Sequence, residues 1–136
     1  MRIMAIDYGD RRIGIAVSDA TATLCGEAFT MQEWDMLRAA ERIAQEAAAR
    51  GVTGLVLGLP RNMDGTEGPR AEKSREFAAI LKEKTGMEPV LWDERLSSVE
   101  AHALLHANGR IMTDHRKNVD AVAATLMLEG YLGSLG

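Results

Sequence analysis

Three acidic side chains fall where folding alone gives little reason for an acid. Asp7 and Glu94 stand at or just past the ends of apolar, strand-like runs, and Asp120 stands beside the apolar stripe of a helix. Carboxylates packed together repel, and burying them without partners costs several kcal/mol each or forces protonation. A divalent cation removes that penalty. Oxygen donors with no Cys or His interleaved favour the hard ions Mg²⁺ or Mn²⁺ over zinc. Two such ions about 4 Å apart can activate a water and stabilise the leaving oxygen of an in-line displacement at phosphorus. The chemistry these acids could do is therefore phosphodiester hydrolysis. A strand-end acid also commonly caps a turn or a helix, which is the ordinary reading of the neighbouring Asp93.

A phosphodiester is polyanionic, and the formal net charge of −4 is on its face unfavourable to it. The cations are nevertheless clustered. Arg11 and Arg12 follow Asp7, Arg61 follows the apolar run 54–59, Arg95 adjoins Glu94, and Arg110, His115, Arg116 and Lys117 precede Asp120. Each candidate metal ligand thus has a cation within a few residues, as a site that draws in a polyanion requires. Gly9, Arg11, Arg12, Arg61, Arg95 and Lys117 are the expected substrate contacts. The charges from Arg70 to Lys84 are expected to be a solvated face with local salt bridges. Tyr8, Trp34, Trp92 and Tyr131 are too few and scattered for a stacking platform, and Trp92 is expected in the core. His102 and His106 are four apart, yet with no further ligand nearby they read as a polar helix face.

The elements that must position these groups follow from hydrophobic period. Arg2 to Asp7 reads as a strand, Tyr8 to Arg12 as a turn, and Ile13 to Val17 as a second strand pairing antiparallel with the first. A third strand is expected over Thr23 to Thr30. Leu37, Ala40, Ile43, Ala44 and Ala47 recur at helical spacing before Gly51, predicting a helix from Glu33 to Arg50. Gly54 to Leu59 is a continuous apolar run closed by Pro60, the mark of a strand covered on both faces. Pro60 to Pro69 reads as an irregular, mobile loop. Phe77, Ile80 and Leu81 define a second helix ending at Gly86, and Pro89 to Trp92 a short strand that delivers Asp93 and Glu94. If the strands of Asp7 and Glu94 are parallel neighbours, both carboxylates leave the same sheet edge, and carboxyl edges are where α/β ligand sites form. Ser97 with Glu100 is a capping box that starts a helix to Asn108. A basic loop over Gly109 to Lys117 precedes a last helix marked by Val119, Val122, Ala123 and Leu126, with Asp120 in its first turn. Antiparallel strands followed by βαβ units make an α/β fold, a mixed five-stranded sheet flanked by helices.

The 136 residues, 46% hydrophobic and 26% charged, suit one globular domain over 1–136. Cys25 is the single cysteine, which excludes an internal disulfide and fits a reducing cytoplasm. The first residues lack the basic and apolar regions of a signal peptide, and no apolar run is long enough to cross a bilayer, so no membrane partner is expected.

The hairpin Asp7-Tyr8-Gly9 with Gly14 and Ser18-Asp19 also resembles the first phosphate loop of actin-like ATPases. Those enzymes clamp nucleotide between two such domains, and this chain has the length of one. A fuller match lies elsewhere. Asp7-Tyr8-Gly9 through Arg12-Ile13-Gly14-Ile15-Ala16-Val17-Ser18-Asp19, then Gly58-Leu59-Pro60 with Gly65, Asp93-Glu94-Arg95-Leu96, and Val119-Asp120-Ala121-Val122-Ala123-Ala124 together resemble the YqgF/RuvX family. Its bacterial members are described as pre-16S rRNA nucleases or Holliday-junction-resolvase-like proteins. The resemblance covers essentially the whole chain and implies an RNase H-like fold. By matched motif it places the functional acids at Asp7, Glu94 and Asp120, the same three that the metal argument selects. Ser97-Ser98 stands where the family pattern leads one to expect threonines, and the capping role survives that departure. The implied activity is maturation of the 5′ end of pre-16S ribosomal RNA, with precursor ribosomes as the setting. Two other expectations share the surface: a resolvase of branched DNA, which needs two sites and so a dimer, and a module that binds RNA without cutting it.

Overall fold

A computed structural model describes residues 1–9, 11–94 and 115–135, the side chains of 115–120 excepted. In order these form β1 (Ile3–Tyr8), β2 (Arg12–Ser18), β3 (Cys25–Gln32), α1 (Met36–Ala49), β4 (Gly54–Leu59), α2 (Pro69–Thr85), β5 (Val90–Asp93) and α3 (His115–Leu135). The expected helix over Ser97 to Asn108, with its capping box and His102 and His106, lies outside the described residues, as do Arg95 and Arg110.

The strands make one sheet in the order β3-β2-β1-β4-β5. β2 pairs antiparallel with β1 and β3, while β4 pairs parallel with β1 and β5. The mixed five-stranded sheet is therefore as expected. One assumption about it is corrected: the strands of Asp7 and Glu94 are parallel but not neighbours, because β4 lies between them.

Strand alternation sorts the side chains onto two faces. Met4, Ile6, Ile13, Ile15, Leu55 and Leu57 face α1 and α2, where they meet Ala40, Ile43, Ala47, Phe77 and Leu81. Burying each of the large side chains contributes about 1.5–3 kcal/mol. On the other face Ile3, Ala5, Ala16 and Val56 pack against Ala124, Met127, Leu128 and Leu132 of α3. Their small size lets α3 lie close over β1, β2 and β3. Trp92 and Tyr131 meet edge to face on this side, with ring centroids 6.0 Å apart, so Trp92, expected in the core, is half-buried at its margin.

The helix ends carry their own signals. Asp35 caps α1 by accepting from the Leu37 N–H at 3.0 Å, and Gly51 follows with φ of +65°. Gly86 closes α2 in the left-handed region and donates to the Lys82 carbonyl at 2.9 Å. α3 already includes His115, earlier than the expected end of the basic loop at Lys117, so Asp120 lies beyond its first turn. Residues 60–68, expected to be mobile, are bridged by turn bonds: the Asn62 N–H donates to the Thr66 carbonyl at 2.8 Å, and Gly65 turns the chain with φ of +90°. Among the described residues, no helix is long and apolar enough to cross a membrane.

Candidate nuclease site

Asp7 is the penultimate residue of β1, paired with Gly14 of β2, and alternation turns it toward the α3 face with Ile3 and Ala5. On the same face β4 presents Gly58, the partner of Trp92, and β5 ends so that Glu94 follows Asp93. The Glu94 N–H donates to the Leu59 carbonyl at 3.3 Å, which carries the pairing one residue past the strand. Strands β1 and β5 stand two spacings apart, about 9–10 Å, too far for two short carboxylates to meet over an ordinary side chain.

Gly58 opens the way. A Cβ there would come within 2.4 Å of Glu94 Oε1 and 2.6 Å of Met127 Cε, so the Glu94 side chain lies across the glycine. It reaches Asp7, and the two carboxyl groups are hydrogen-bonded. That bond requires a proton between them. Burial first, and then the Asp7 charge, push Glu94 up to about 8, with Asp93 adding to the rise and Arg70 opposing it. The structure thus brings Asp7 and Glu94 together, with Arg70 as a partly compensating charge. Asp120 belongs to α3, one turn before the buried Ala124, and its side chain and that of Lys117 lie outside the described residues.

The cations divide. Arg11 and Arg12 are exposed at the β1–β2 connection, beside the carboxyl end of β1. Gly9 opens that connection, where its N–H donates to the Arg12 carbonyl at 3.0 Å and a Cβ would sit 2.6 Å from the same oxygen. Arg61 is drawn instead toward Glu67, 3.9 Å away. Glu67 also takes Arg75 through two bonds of 2.7 and 2.8 Å, and this pairing holds its carboxyl below the usual range. Lys82 lies 3.7 Å from Glu88 and Lys84 3.6 Å from Glu41, so the salt-bridge reading of α2 holds for these side chains. It fails for Arg70, whose charge acts on Glu94. Arg70 and Lys73 line an open cavity of roughly 170 Å³ with Tyr8 and Gly9. The Tyr8 ring is fixed by stacking on Phe77, centroids 4.1 Å apart.

Gly58 and Arg70 were not singled out by sequence as site residues. A glycine in an apolar strand can mark a close approach, and Gly58 belongs to one of the quoted motifs, but nothing in the chain says what approaches.

A family model described as RuvX, Holliday junction resolvase, matches residues 1–134. The chain belongs to the RuvX family. Among relatives of this RuvX chain, a protein of Carboxydothermus hydrogenoformans named "Putative pre-16S rRNA nuclease" is 41% identical over 132 residues, 97% of this chain and 96% of its own. Two solved structures share the fold. Fowlpox virus resolvase in complex with substrate Holliday junction DNA superposes with a TM-score of 0.64 at 13% identity, covering 99% of both chains. Thermus thermophilus RuvC with Holliday junction substrate gives 0.61 at 11%, covering 100% of this chain and 96% of that one. The RNase H-like fold implied by the RuvX resemblance is therefore the fold of this chain.

Proposed function

We propose that the chain is a single metal-dependent nuclease domain that hydrolyses RNA phosphodiesters in the 5′-end maturation of pre-16S ribosomal RNA in the cytoplasm. The observation that carries this reading is the meeting of Asp7 and Glu94 over Gly58 at the carboxyl edge of the sheet. The near-full-length likeness to relatives named for pre-16S rRNA supports the substrate.

The donor set fits a hard divalent ion. Two carboxyl groups with oxygen donors only, crowded enough to share a proton, are relieved when a cation takes that proton's place. Asp7, Glu94 and, by motif, Asp120 would hold Mg²⁺ or Mn²⁺, as one ion or two. Such ions supply an activated water and stabilisation of the leaving oxygen. The chain's own contribution is positional. Gly58 leaves room for Glu94 to reach Asp7, and the sheet edge fixes both backbones. Arg70 adds positive charge next to a pair that would otherwise repel a phosphate. Arg11 and Arg12 face solvent beside that edge and attract the backbone of the substrate, with Arg95 and Lys117 as further contacts.

The family description favours one further reading, a resolvase of branched DNA, which shares the site and differs in substrate. Both are tested by offering purified wild-type and Asp7→Asn protein a 5′-extended 16S precursor and a four-way DNA junction, with Mg²⁺, Mn²⁺ or chelator. Metal-dependent cutting of the RNA, lost in the variant, is the expected result. Cutting that survives chelation or the substitution would refute the site, and cutting of the junction alone would transfer the function to DNA.

A further inference from the structure

The carboxylate pair occupies only one side of the sheet's carboxyl edge. Successive residues of a strand point to opposite faces, so Asp7 turns to the α3 side and Tyr8 to the α2 side. On that second side lies the cavity of roughly 170 Å³ lined by Tyr8, Gly9, Arg70 and Lys73. Its volume is well under the 300 Å³ or so at which pockets begin to enclose a drug-sized molecule, yet it is several times the roughly 30 Å³ that a water takes up. An open cavity of that size has room for one tetrahedral anion with its ester oxygens. Arg70 and Lys73 are three apart on α2, hence on one face of it. Both are exposed at the cavity mouth, and the wall opposite is held by the Tyr8–Phe77 stack. Gly9 gives that wall a surface without a side chain. Its N–H is already committed to the Arg12 carbonyl, so among the described lining residues the attraction for an anion comes from Arg70 and Lys73.

We propose that this cavity binds one backbone phosphate of the nucleic-acid strand, on the opposite side of the sheet edge from the phosphate that is cut. The strand then straddles the end of β1, and Arg70 and Lys73 set its register over Asp7 and Glu94. This inference rests on the nuclease reading for its choice of ligand, but its test does not need cleavage.

The test measures binding of a labelled, 5′-hydroxyl single-stranded oligoribonucleotide by Asp7→Asn protein between 50 and 200 mM salt. Each neutralised phosphate contributes about 0.7 to the slope of log affinity against log salt for a single strand. Adding Arg70→Ala and Lys73→Ala together should reduce the slope by about 0.7 and weaken binding about five-fold at 0.1 M salt. Lys73→Arg should restore the loss seen in Lys73→Ala, and Lys82→Ala, at the far end of the same helix, should change nothing. An unchanged slope in the double variant would overturn the proposal, and so would a fall of about 1.4, which would mean two separate phosphates. A fall that appears only with a 5′-phosphorylated oligomer would also overturn it, by assigning the cavity to a terminal phosphate. The two readings fail separately. Protein that cuts RNA but keeps its slope loses only the cavity proposal, and protein that shows the slope change but never cuts loses only the nuclease.

Discussion

Glu94→Gln should make the metal-free protein more stable at neutral pH, although it alters a proposed catalytic residue. Glu94 normally titrates near 4.5 and is pushed up to about 8 by burial and by Asp7. Between those values the folded state holds a proton that the unfolded state has released, so wild-type stability falls as pH rises through the window and levels off above it. At pH 7.5, about three units above the ordinary value, the loss is about 4 kcal/mol at 1.36 kcal/mol per unit. Glutamine keeps the shape, carries no charge and can donate to Asp7 through its amide, so most of that loss should disappear. The assay is thermal unfolding in chelator at pH 4.5 and at pH 7.5. A gain of about 2–4 kcal/mol corresponds to a melting temperature raised by roughly 10 °C for a chain of this length. At pH 4.5 the gap should shrink to roughly a few tenths of a kcal/mol, because Glu94 is then protonated when folded and about half protonated when unfolded. Adding Mg²⁺ should raise the wild-type melting temperature more than the variant's. A variant no more stable than wild type at pH 7.5, or a gap equal at both pH values, would refute the account of two carboxyl groups crowded over Gly58.

Gly58→Ala should cost about 1–3 kcal/mol, because its Cβ meets both Glu94 and Met127, and should reduce cleavage on the order of 10²-fold by displacing Glu94. Denaturant melts and single-turnover rates check the two parts. Phe77→Ala, at a fully buried site under the Tyr8 ring, should destabilise by about 3–5 kcal/mol in the same melts. Glu88→Lys and Arg12→Glu change the net charge by equal amounts in opposite directions; at 0.15 M salt the first should leave RNA affinity within about twofold of wild type, and the second should weaken it by roughly tenfold.

The strands and α1 were legible because their periods are strong, whereas α2 and α3 have weak helical periodicity and were read from a few apolar positions and, for α2, from Gly86. The limits of the elements were less legible, for local reasons. The third strand starts at Cys25 rather than Thr23 because Asp19 gathers the chain before it, accepting from the Thr23 N–H at 2.9 Å and the Leu24 N–H at 3.4 Å. Those bonds hold Asp19 down at about 2 and spend residues that would otherwise extend β3. The first helix starts at Met36 rather than Glu33 because Asp35 is its cap, while the Glu33 N–H joins the hairpin by donating to the Arg11 carbonyl at 3.1 Å. In the site, Asp7 and Glu94 could be read because an acid closing an apolar run is conspicuous. Arg70 could not be separated by spacing from Arg75, since both sit among charged residues at the start of one helix and only the fold directs one to Glu94 and the other to Glu67. Trp34 shows the same limit: it is 69% exposed, whereas Trp92 is packed on Tyr131.

The net charge misled for a related reason, which the ends of α2 make concrete. The helix has 17 residues, so its ends stand about 25 Å apart, some three Debye lengths at physiological salt. Lys82 and Glu88 meet near one end, Arg70 and Lys73 begin the other, and neither group feels the other's charge. α1 repeats the arrangement. It is capped by Arg50, whose guanidinium is bonded by Glu27 and Glu46 and stays more basic than usual through those bonds. Surface pairs of this kind contribute only about 0–1 kcal/mol each to stability. Their larger effect is to cancel charge locally, far from the carboxyl edge. At that edge Arg11, Arg12, Arg70 and Lys73 stand with Asp93, with Glu72 of the first turn of α2, and with the Asp7–Glu94 pair, where Glu94 is held protonated by burial and by Asp7. Salt dependence of nucleic-acid binding should therefore follow the residues on that edge rather than the total of −4.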